Sequence, residues 1–217
     1  MSVSRRNIVA GISAAAVLSQ LPGAALAQNR AKKFDPADLH KPGPLGDHIL
    51  GKDDAPVTIV EYASFTCGHC ANFHANTFPK LKEKYIDTGK VKFIFRVFPT
   101  APAELSIAAG MLAHCAGKDK YFAMTSALFE TQRNWAATAD PIPVLLKLAN
   151  QAGITEEKFR ECLSDKKLAQ EIQMVAVRGF ETFGVDATPT LFINGTTKID
   201  GDSSIEALSK VIDPLIK

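Results

Sequence analysis

The chain has little cysteine and no excess of charge outside its first residues. Only four of its 217 residues are cysteine, too few for a small fold that depends on disulfides. It carries 25 basic and 23 acidic residues, and Arg5 and Arg6 account for the excess of two. Since the remaining charges balance, no basic surface is predicted that would bind nucleic acid or an anionic membrane. Four cysteines suit two pairs, which an oxidising compartment would allow.

Residues 1–27 have the three parts of an export signal. Arg5 and Arg6 form the positive region, Ile8 to Leu26 the mostly apolar region, and Ala25-Leu26-Ala27 a small-residue cleavage site. An uncleaved anchor helix is the alternative, but polar residues, Gly and Pro interrupt a stretch that would need about 20 strongly apolar residues. We therefore predict a cleaved signal peptide. Ser4-Arg5-Arg6 is similar to a twin-arginine signal, and both the Sec and the twin-arginine routes stay open.

Residues 28–55 are polar and are interrupted by several prolines and glycines. This composition predicts a mobile N-terminal lead-in with at most one short edge strand, around His48-Ile49-Leu50. The segment is too short to form a separate dimerisation domain, which favours a monomer.

A predicted buried strand runs into a CxxC motif. Apolar and β-branched residues dominate from Val57 to Ala63, and a helical pattern follows from Cys70 through Tyr85. Cys67 therefore falls at a helix N-terminus, where free amide N–H groups and the helix dipole stabilise an anion. We expect Cys67 to ionise readily and to attack disulfides, and Cys70 to close or resolve the bond. His69 could add a positive charge that stabilises the Cys67 thiolate.

The same motif also allows a different class of function. A CxxC motif can be half of a zinc site, and Cys67 and Cys70 with His69 or His74 could bind or deliver a metal. In that case the reduced protein would bind zinc or copper tightly and would have no disulfide-exchange activity.

The segment E-Y-A-S-F-T-C-G-H-C of residues 61–70, followed by a helix, resembles the DsbA-like family of periplasmic thiol:disulfide oxidoreductases. The resemblance covers most of the chain after residue 27 and includes Thr188-Pro189. It implies a thioredoxin fold, a periplasmic location and a CxxC disulfide exchanged with cysteines of secreted proteins, without a cofactor. The Gly-His pair between the cysteines differs from the Pro-His of the best-known oxidase and is similar to that of protein disulfide isomerase.

The resemblance also implies partners. A DsbA-like oxidase donates its disulfide to newly exported proteins and is reoxidised by a quinone-linked membrane partner of the DsbB type. The alternative is an isomerase or reductase kept reduced by another system. The Gly-His pair and Thr188 keep this alternative open, and the lack of a dimerisation domain weighs against it.

The remaining strands and the last helix fit the thioredoxin arrangement, an α/β fold. They are predicted at residues 91–98, at residues 190–193, in a hairpin over Asn194-Gly195 that ends near Ile199, and in an amphipathic helix over 203–216. The helix that links the strand before the CxxC motif to the strand at residues 91–98 implies that these two strands pair in parallel. Residues 56–102 and 185–217 would form the thioredoxin-like domain.

Three further residues are candidates near the cysteines. In thioredoxin-like proteins a cis proline faces the CxxC motif, so we predict a cis Thr188-Pro189 peptide packed against Cys67. Since proline lacks an N–H, the backbone of Thr188 could pair with an extended substrate. Thr188, Pro189 and Phe65 are the predicted substrate-binding residues.

Glu61 lies within the otherwise apolar strand before the motif. A buried ionisable group is costly unless it is paired, so Glu61 is predicted to be a buried acid that exchanges protons with Cys70. A glutamate at the matching position also occurs in the DsbA-like family. The alternative is a solvated glutamate where the strand meets the surface.

No strand pattern occurs from 103 to 184, which predicts an all-helical domain inserted between strands of the thioredoxin fold. Helical patterns cover residues 103–116, 120–131, 142–152, 156–163 and 167–183. Such an insertion matches the architecture of the DsbA-like family, where it would cover one side of the active site and shape a groove for unfolded chains.

Cys115 and Cys162 both lie in this predicted insertion. A structural disulfide between two helices is the favoured interpretation. A second redox site is disfavoured because neither cysteine lies at a helix N-terminus, and two buried free thiols are the remaining alternative.

Overall fold

A five-stranded sheet forms the centre of the protein, seen here in a computed structural model that describes residues 34–216. Its strands are β1 (Ile49–Leu50), β2 (Val57–Ala63), β3 (Val91–Val97), β4 (Thr190–Ile193) and β5 (Thr197–Asp200). They lie in the order β1-β3-β2-β4-β5. The pair β2–β3 is parallel, as predicted, and the other pairs are antiparallel.

Helices precede, interrupt and follow the sheet. They are α1 (Pro36–His40), α2 (Gly68–Asn76), α3 (Phe78–Leu81), α4 (Ala103–Cys115), α5 (Tyr121–Glu130), α6 (Gln132–Ala136), α7 (Ile142–Gln151), α8 (Glu156–Ser164), α9 (Lys166–Phe183) and α10 (Ile205–Ile212). Between β3 and β4 the structure has helices α4 to α9 and no strand, as the sequence predicts. The thioredoxin-like α/β fold with a helical insertion is therefore confirmed.

Strand β2, inside the sheet, is buried on both of its faces. Successive side chains of a strand point to opposite faces, so Val57, Ile59, Glu61 and Ala63 share one face. That face packs in one large apolar core with residues of α2 and of the insertion helices α4 to α8. The opposite face carries Val60 and Tyr62, in a smaller core with residues of α1 and α9.

The helix that follows the CxxC motif is shorter than predicted. The sequence pattern runs to Tyr85, but α2 ends at Asn76, α3 follows from Phe78, and a π-helical turn covers Lys82–Ile86. Pro79 explains the break, because proline lacks an N–H and its ring clashes with the carbonyl four residues earlier.

Two short helices were not predicted. The lead-in contains α1, which begins where the Asp35 carboxylate accepts a hydrogen bond from the Ala37 N–H and Pro36 occupies the first turn. The five-residue α6 directly follows α5. The last helix, predicted over 203–216, is α10 followed by a 3-10 turn over Asp213–Leu215, where Pro214 ends the regular helix.

The predicted signal peptide and its cleavage site lie outside the described residues. Within residues 34–216 no helix has the length and apolar character needed to cross a bilayer.

A disulfide joins Cys115, the last residue of α4, to Cys162 in α8. This is the favoured of the three interpretations that the sequence allowed. The bond lies within the helical insertion and leaves Cys67 and Cys70 as the free cysteines of the described part of the chain.

Candidate active site

Cys67 is the residue that caps the N-terminus of α2. Its backbone is extended, and α2 begins at the next residue, Gly68. The Cys67 side chain is partly exposed, whereas Cys70, in the first turn of α2, has no exposed surface. One thiol is therefore accessible to another protein and the other is enclosed.

The surroundings of Cys67 favour its thiolate. Its pKa is lowered to about 5, first by a hydrogen bond from the Cys70 side chain, against the opposing effect of burial. The Thr188 side chain and the backbone N–H groups of Cys70 and His69 contribute smaller stabilising hydrogen bonds. These amides are free because they lie in the first turn of the helix. Cys67 is therefore ionised at neutral pH.

Cys70 has the opposite character. Burial raises its pKa strongly, and the hydrogen bond to Cys67 and the charge of Glu61 raise it further. The pair thus consists of one partly exposed thiolate and one buried thiol, an arrangement suited to disulfide exchange through a mixed disulfide at Cys67.

The His69 ring lies at the surface and meets a carboxylate, and its effect on the Cys67 thiolate stays a prediction. Its side chain is 75% exposed, and its Nδ1 lies 3.4 Å from a carboxylate oxygen of Asp202. The Asn72 side chain holds that carboxylate with a 2.6 Å hydrogen bond. The contribution of His69 to the Cys67 thiolate is made by its backbone N–H, while its ring is paired with Asp202.

The Thr188-Pro189 peptide is cis, and Cys67 Sγ lies 3.4 Å from the Thr188 carbonyl oxygen. The predicted cis peptide is thus present, and the loop before β4 lies against Cys67. Thr188 is partly exposed and Pro189 is buried, so of these two residues Thr188 is the one with accessible surface.

Phe65 does not have the position expected of a substrate-binding residue. Its side chain has no exposed surface, and its ring stacks on Phe129 of α5 with a centroid distance of 4.9 Å. The reason is that Phe65 turns inward to the core shared by the sheet and the insertion. It anchors the loop before Cys67, and its role in substrate binding stays a prediction.

A hydrogen-bond network that the sequence did not reveal fixes the loop before Cys67. The Ser64 hydroxyl lies 2.9 Å from that of Ser106, which also accepts from the Phe65 N–H at 3.1 Å. Gln132 of α6 donates its amide to the carbonyls of Phe65 and Cys67, at 2.8 and 2.9 Å. Helices of the insertion therefore position the loop that leads to Cys67.

Glu61 is fully buried, so the alternative of a solvated glutamate is wrong. His74 of α2 is its partner, with Nε2 at 3.2 and 2.9 Å from the two carboxylate oxygens. A sequence pattern does not reveal which buried polar side chains hydrogen-bond each other. The contacts of Ser106, Gln132 and His74 were therefore not predicted.

The described residues contain no group of three or more His, Cys, Asp or Glu side chains that could hold a metal. The two histidines considered as ligands are occupied otherwise, since His69 is paired with Asp202 and His74 with Glu61. The arrangement is suited to thiol chemistry.

Comparison with known proteins also indicates thiol chemistry. A family profile described as "Thioredoxin" matches residues 45–214. The crystal structure of alpha-DsbA1 from Wolbachia pipientis is 34% identical, with a TM-score of 0.76 over 84% of this chain and 96% of that one. The chain belongs to the DsbA-like branch of the thioredoxin family.

Two further relatives of this DsbA-like chain are informative. BdbD from Bacillus subtilis, solved in its oxidised form, is 26% identical, with a TM-score of 0.71 over 78% of this chain and 92% of that one. A Rickettsia bellii protein provisionally named a protein-disulfide oxidoreductase is 33% identical over 174 residues. That match covers 79% of this chain but 65% of the relative, so the chain spans less than two thirds of the Rickettsia protein's length.

Proposed function

We propose that this DsbA-like protein is an exported thiol:disulfide oxidoreductase that acts chiefly as a dithiol oxidase on cysteine-containing proteins. The observation that carries the proposal is the contrast between Cys67, with a pKa of about 5, and the buried Cys70. Stabilising the Cys67 thiolate stabilises the reduced protein, and this makes the oxidised form a stronger oxidant.

In the proposed reaction a substrate thiolate attacks Cys67 Sγ of the Cys67–Cys70 disulfide. The bond between the two cysteines breaks, Cys70 leaves as a thiolate and takes up a proton, and a mixed disulfide forms between Cys67 and the substrate. A second substrate thiolate then attacks the substrate sulfur of that mixed disulfide, and Cys67 leaves as its stabilised thiolate. Two electrons pass from the two substrate thiols to the cysteine pair.

Several roles follow for the surrounding residues. Cys67 is the sulfur that exchanges with the substrate, and Thr188, beside it in the cis Thr188-Pro189 loop, is positioned to contact an extended substrate chain. Glu61 exchanges a proton with Cys70. The Cys115–Cys162 bond is structural.

The biological setting is also part of the proposal. The export signal predicted for residues 1–27 supports a periplasmic location, where newly exported proteins with unpaired cysteines would be the substrates and a DsbB-type membrane protein would reoxidise the protein. A monomeric protein is part of the proposal.

The test is the reaction of the oxidised protein with a reduced peptide that contains two cysteines. We expect one peptide disulfide to form per molecule of protein, with loss of the Cys67–Cys70 bond. C67S should be inactive, while C70S, treated with an activated peptide, should accumulate a mixed disulfide at Cys67.

A disulfide isomerase is the alternative that the Gly68-His69 pair supports. It would be favoured if the oxidised protein left the peptide reduced while the reduced protein rearranged the wrong disulfides of a scrambled substrate. If the protein neither formed nor rearranged disulfides, the proposed function would be wrong.

A further inference from the structure

The Glu61–His74 pair has a feature that disulfide exchange alone does not require. Both side chains are buried, the carboxylate completely. Within residues 34–216 His74 is the side chain that hydrogen-bonds the Glu61 carboxylate, and it contacts both oxygens. A buried carboxylate without such a donor would lose the hydration of its charge with nothing in exchange.

The surroundings of the His74 imidazole favour one of its protonation forms. The imidazole stacks on Phe129, with a centroid distance of 4.1 Å and an interplanar angle of 16°, and also contacts Phe73, Phe78 and Phe95. Its Nδ1 is buried and has no hydrogen-bond partner.

An imidazolium would therefore place an N–H group at Nδ1 among aromatic rings with no acceptor. A neutral ring avoids that cost, because Nδ1 then carries a lone pair and the proton resides on Nε2. Since a carboxylate can only accept, this tautomer donates Nε2–H to Glu61. His74 acts as a hydrogen-bond donor to the carboxylate without adding a positive charge.

The pair lies beside the buried thiol. Cys70 precedes His74 by one helical turn on α2, so both side chains lie on the same face of the helix. Glu61 projects toward that face from β2, and its charge contributes to the raised pKa of Cys70. The other titratable groups nearby are Cys67 on α2 and Tyr121 on α5. The Tyr121 hydroxyl is kept neutral, since its pKa is raised by burial and, to a smaller extent, by Asp47 and Glu61.

We propose that His74 is a positioning residue that holds the Glu61 carboxylate in place, so that Glu61 can take the proton of Cys70 when Cys70 resolves a mixed disulfide. The inference rests on the proposed function. In this step the Cys70 thiol proton passes to a Glu61 oxygen, and a bond forms between the sulfurs of Cys70 and Cys67. The bond between Cys67 and its partner sulfur breaks, and the partner leaves as a thiolate with the electron pair.

The experiment separates this step from the first attack. Reduced full-length protein is mixed with oxidised glutathione, quenched in acid at successive times, and analysed by mass spectrometry across pH 5 to 9. The glutathione adduct on Cys67 appears at the rate of the first attack. It disappears at the rate at which Cys70 resolves it.

Two substitutions at position 74 test the role of Nε2–H. H74F keeps an aromatic ring beside Phe129 but loses the donor, so resolution at pH 7 should slow by about tenfold or more. In H74Q the side-chain amide nitrogen replaces Nε2 as a donor that does not titrate, and the rate should stay within about threefold of wild type. Adduct formation should be unchanged in both, since neither Glu61 nor His74 is among the groups that set the pKa of Cys67.

A double substitution keeps the test decisive if H74F alone does not fold. If His74 acts through Glu61, adding H74F to E61Q should change the resolution rate by less than twofold, because the buried charge is already gone.

Three results would overturn the inference. They are an H74F protein with the wild-type rate and pH profile, an H74Q protein as slow as H74F, and a further tenfold loss when H74F is added to E61Q. Failure of the wild-type protein to form the glutathione adduct at all would be a different result and would overturn the proposed function itself.

Discussion

Single residues show how two cysteines three positions apart acquire opposite properties. Cys67 caps a helix and receives hydrogen bonds from Cys70, Thr188 and two backbone amides, while Cys70 is one turn inside and enclosed by the core. Position along the helix, more than the cysteines themselves, makes one the exposed thiolate and the other the buried thiol.

The first prediction concerns the titration of Cys67. In the reduced protein the thiolate absorbance near 240 nm should appear with a midpoint near pH 5. C70A removes the largest stabilising hydrogen bond and should raise the midpoint by about one unit or more, while C70S keeps a hydroxyl donor and should raise it less. A wild-type midpoint near that of a free thiol would contradict the account of the site.

At this scale the sequence predicts what depends on local structure. The strand before the motif and the helix after it are enough to place Cys67 at a helix N-terminus. Phe65 and His74 show the limit. Whether Phe65 faces a substrate or the core, and which carboxylate His74 meets, depends on how α2 and α5 approach β2, and no spacing within the chain encodes that.

Among the elements of the fold, the helical insertion does more than cover the active site. Gln132 of α6 donates to the carbonyls of Phe65 and Cys67, and Ser106 of α4 binds the same loop. The inserted helices thus hold the loop that orients the nucleophile.

The second prediction is that Q132A destabilises the protein. The Cys67 carbonyl keeps the Ala71 N–H as a donor, but the Phe65 carbonyl loses the Gln132 amide, and an unsatisfied buried carbonyl costs about 1–3 kcal/mol. Urea unfolding measures this loss. R133A, at the exposed neighbouring position, is the control and should stay within about 0.5 kcal/mol of wild type. Equal stabilities for the two variants would show that Gln132 does not hold the loop.

The third prediction concerns the disulfide between α4 and α8. The two cysteines are 47 residues apart, so the loop-closure model gives a loss of about 4 kcal/mol when both are replaced by alanine. The unfolding midpoint of C115A/C162A should fall accordingly, while the Cys67 titration keeps its midpoint. A shifted Cys67 titration would show that the bond acts on the active site as well as on stability.

The long elements and the short strands were predicted well, whereas two short helices and one broken helix were not. Strands such as β2 and β3 are continuous apolar runs, and α9 has a clear amphipathic pattern. The helices α1 and α6 have five residues each, too few to show a period, and the break at Thr77 depends on Pro79 within an otherwise regular pattern.

For the whole molecule, a histidine pair ties the N-terminal segment to the insertion. His48, next to β1, places Nε2 3.1 Å from Nδ1 of His114 on α4, and its ring stacks on Tyr121. Burial, and then the charge of His48, lower the pKa of His114 to about 4.

The fourth prediction is a loss of stability in acid. The unfolded chain binds the His114 proton more tightly than the folded one, so this contribution to stability is complete above about pH 6.5 and is lost as the pH falls toward 4. The loss attributable to His114 is at most about 3 kcal/mol.

Measuring the oxidised protein removes the titration of Cys67, which has the same sign in the reduced form. The control is H114N, which keeps a polar atom near the position of Nδ1 but does not titrate. Its unfolding free energy should change less between pH 7 and pH 4.5 than that of wild type. An identical change in both proteins would assign the acid sensitivity to other groups.

The measurement that tests the central claim most directly is the redox equilibrium of the Cys67–Cys70 pair in glutathione buffers. Because the reduced form is stabilised through the Cys67 thiolate, the account predicts a potential above roughly −180 mV, the value typical of protein disulfide isomerase. A potential near roughly −270 mV, that of thioredoxin, would contradict the oxidase assignment and favour a reductase.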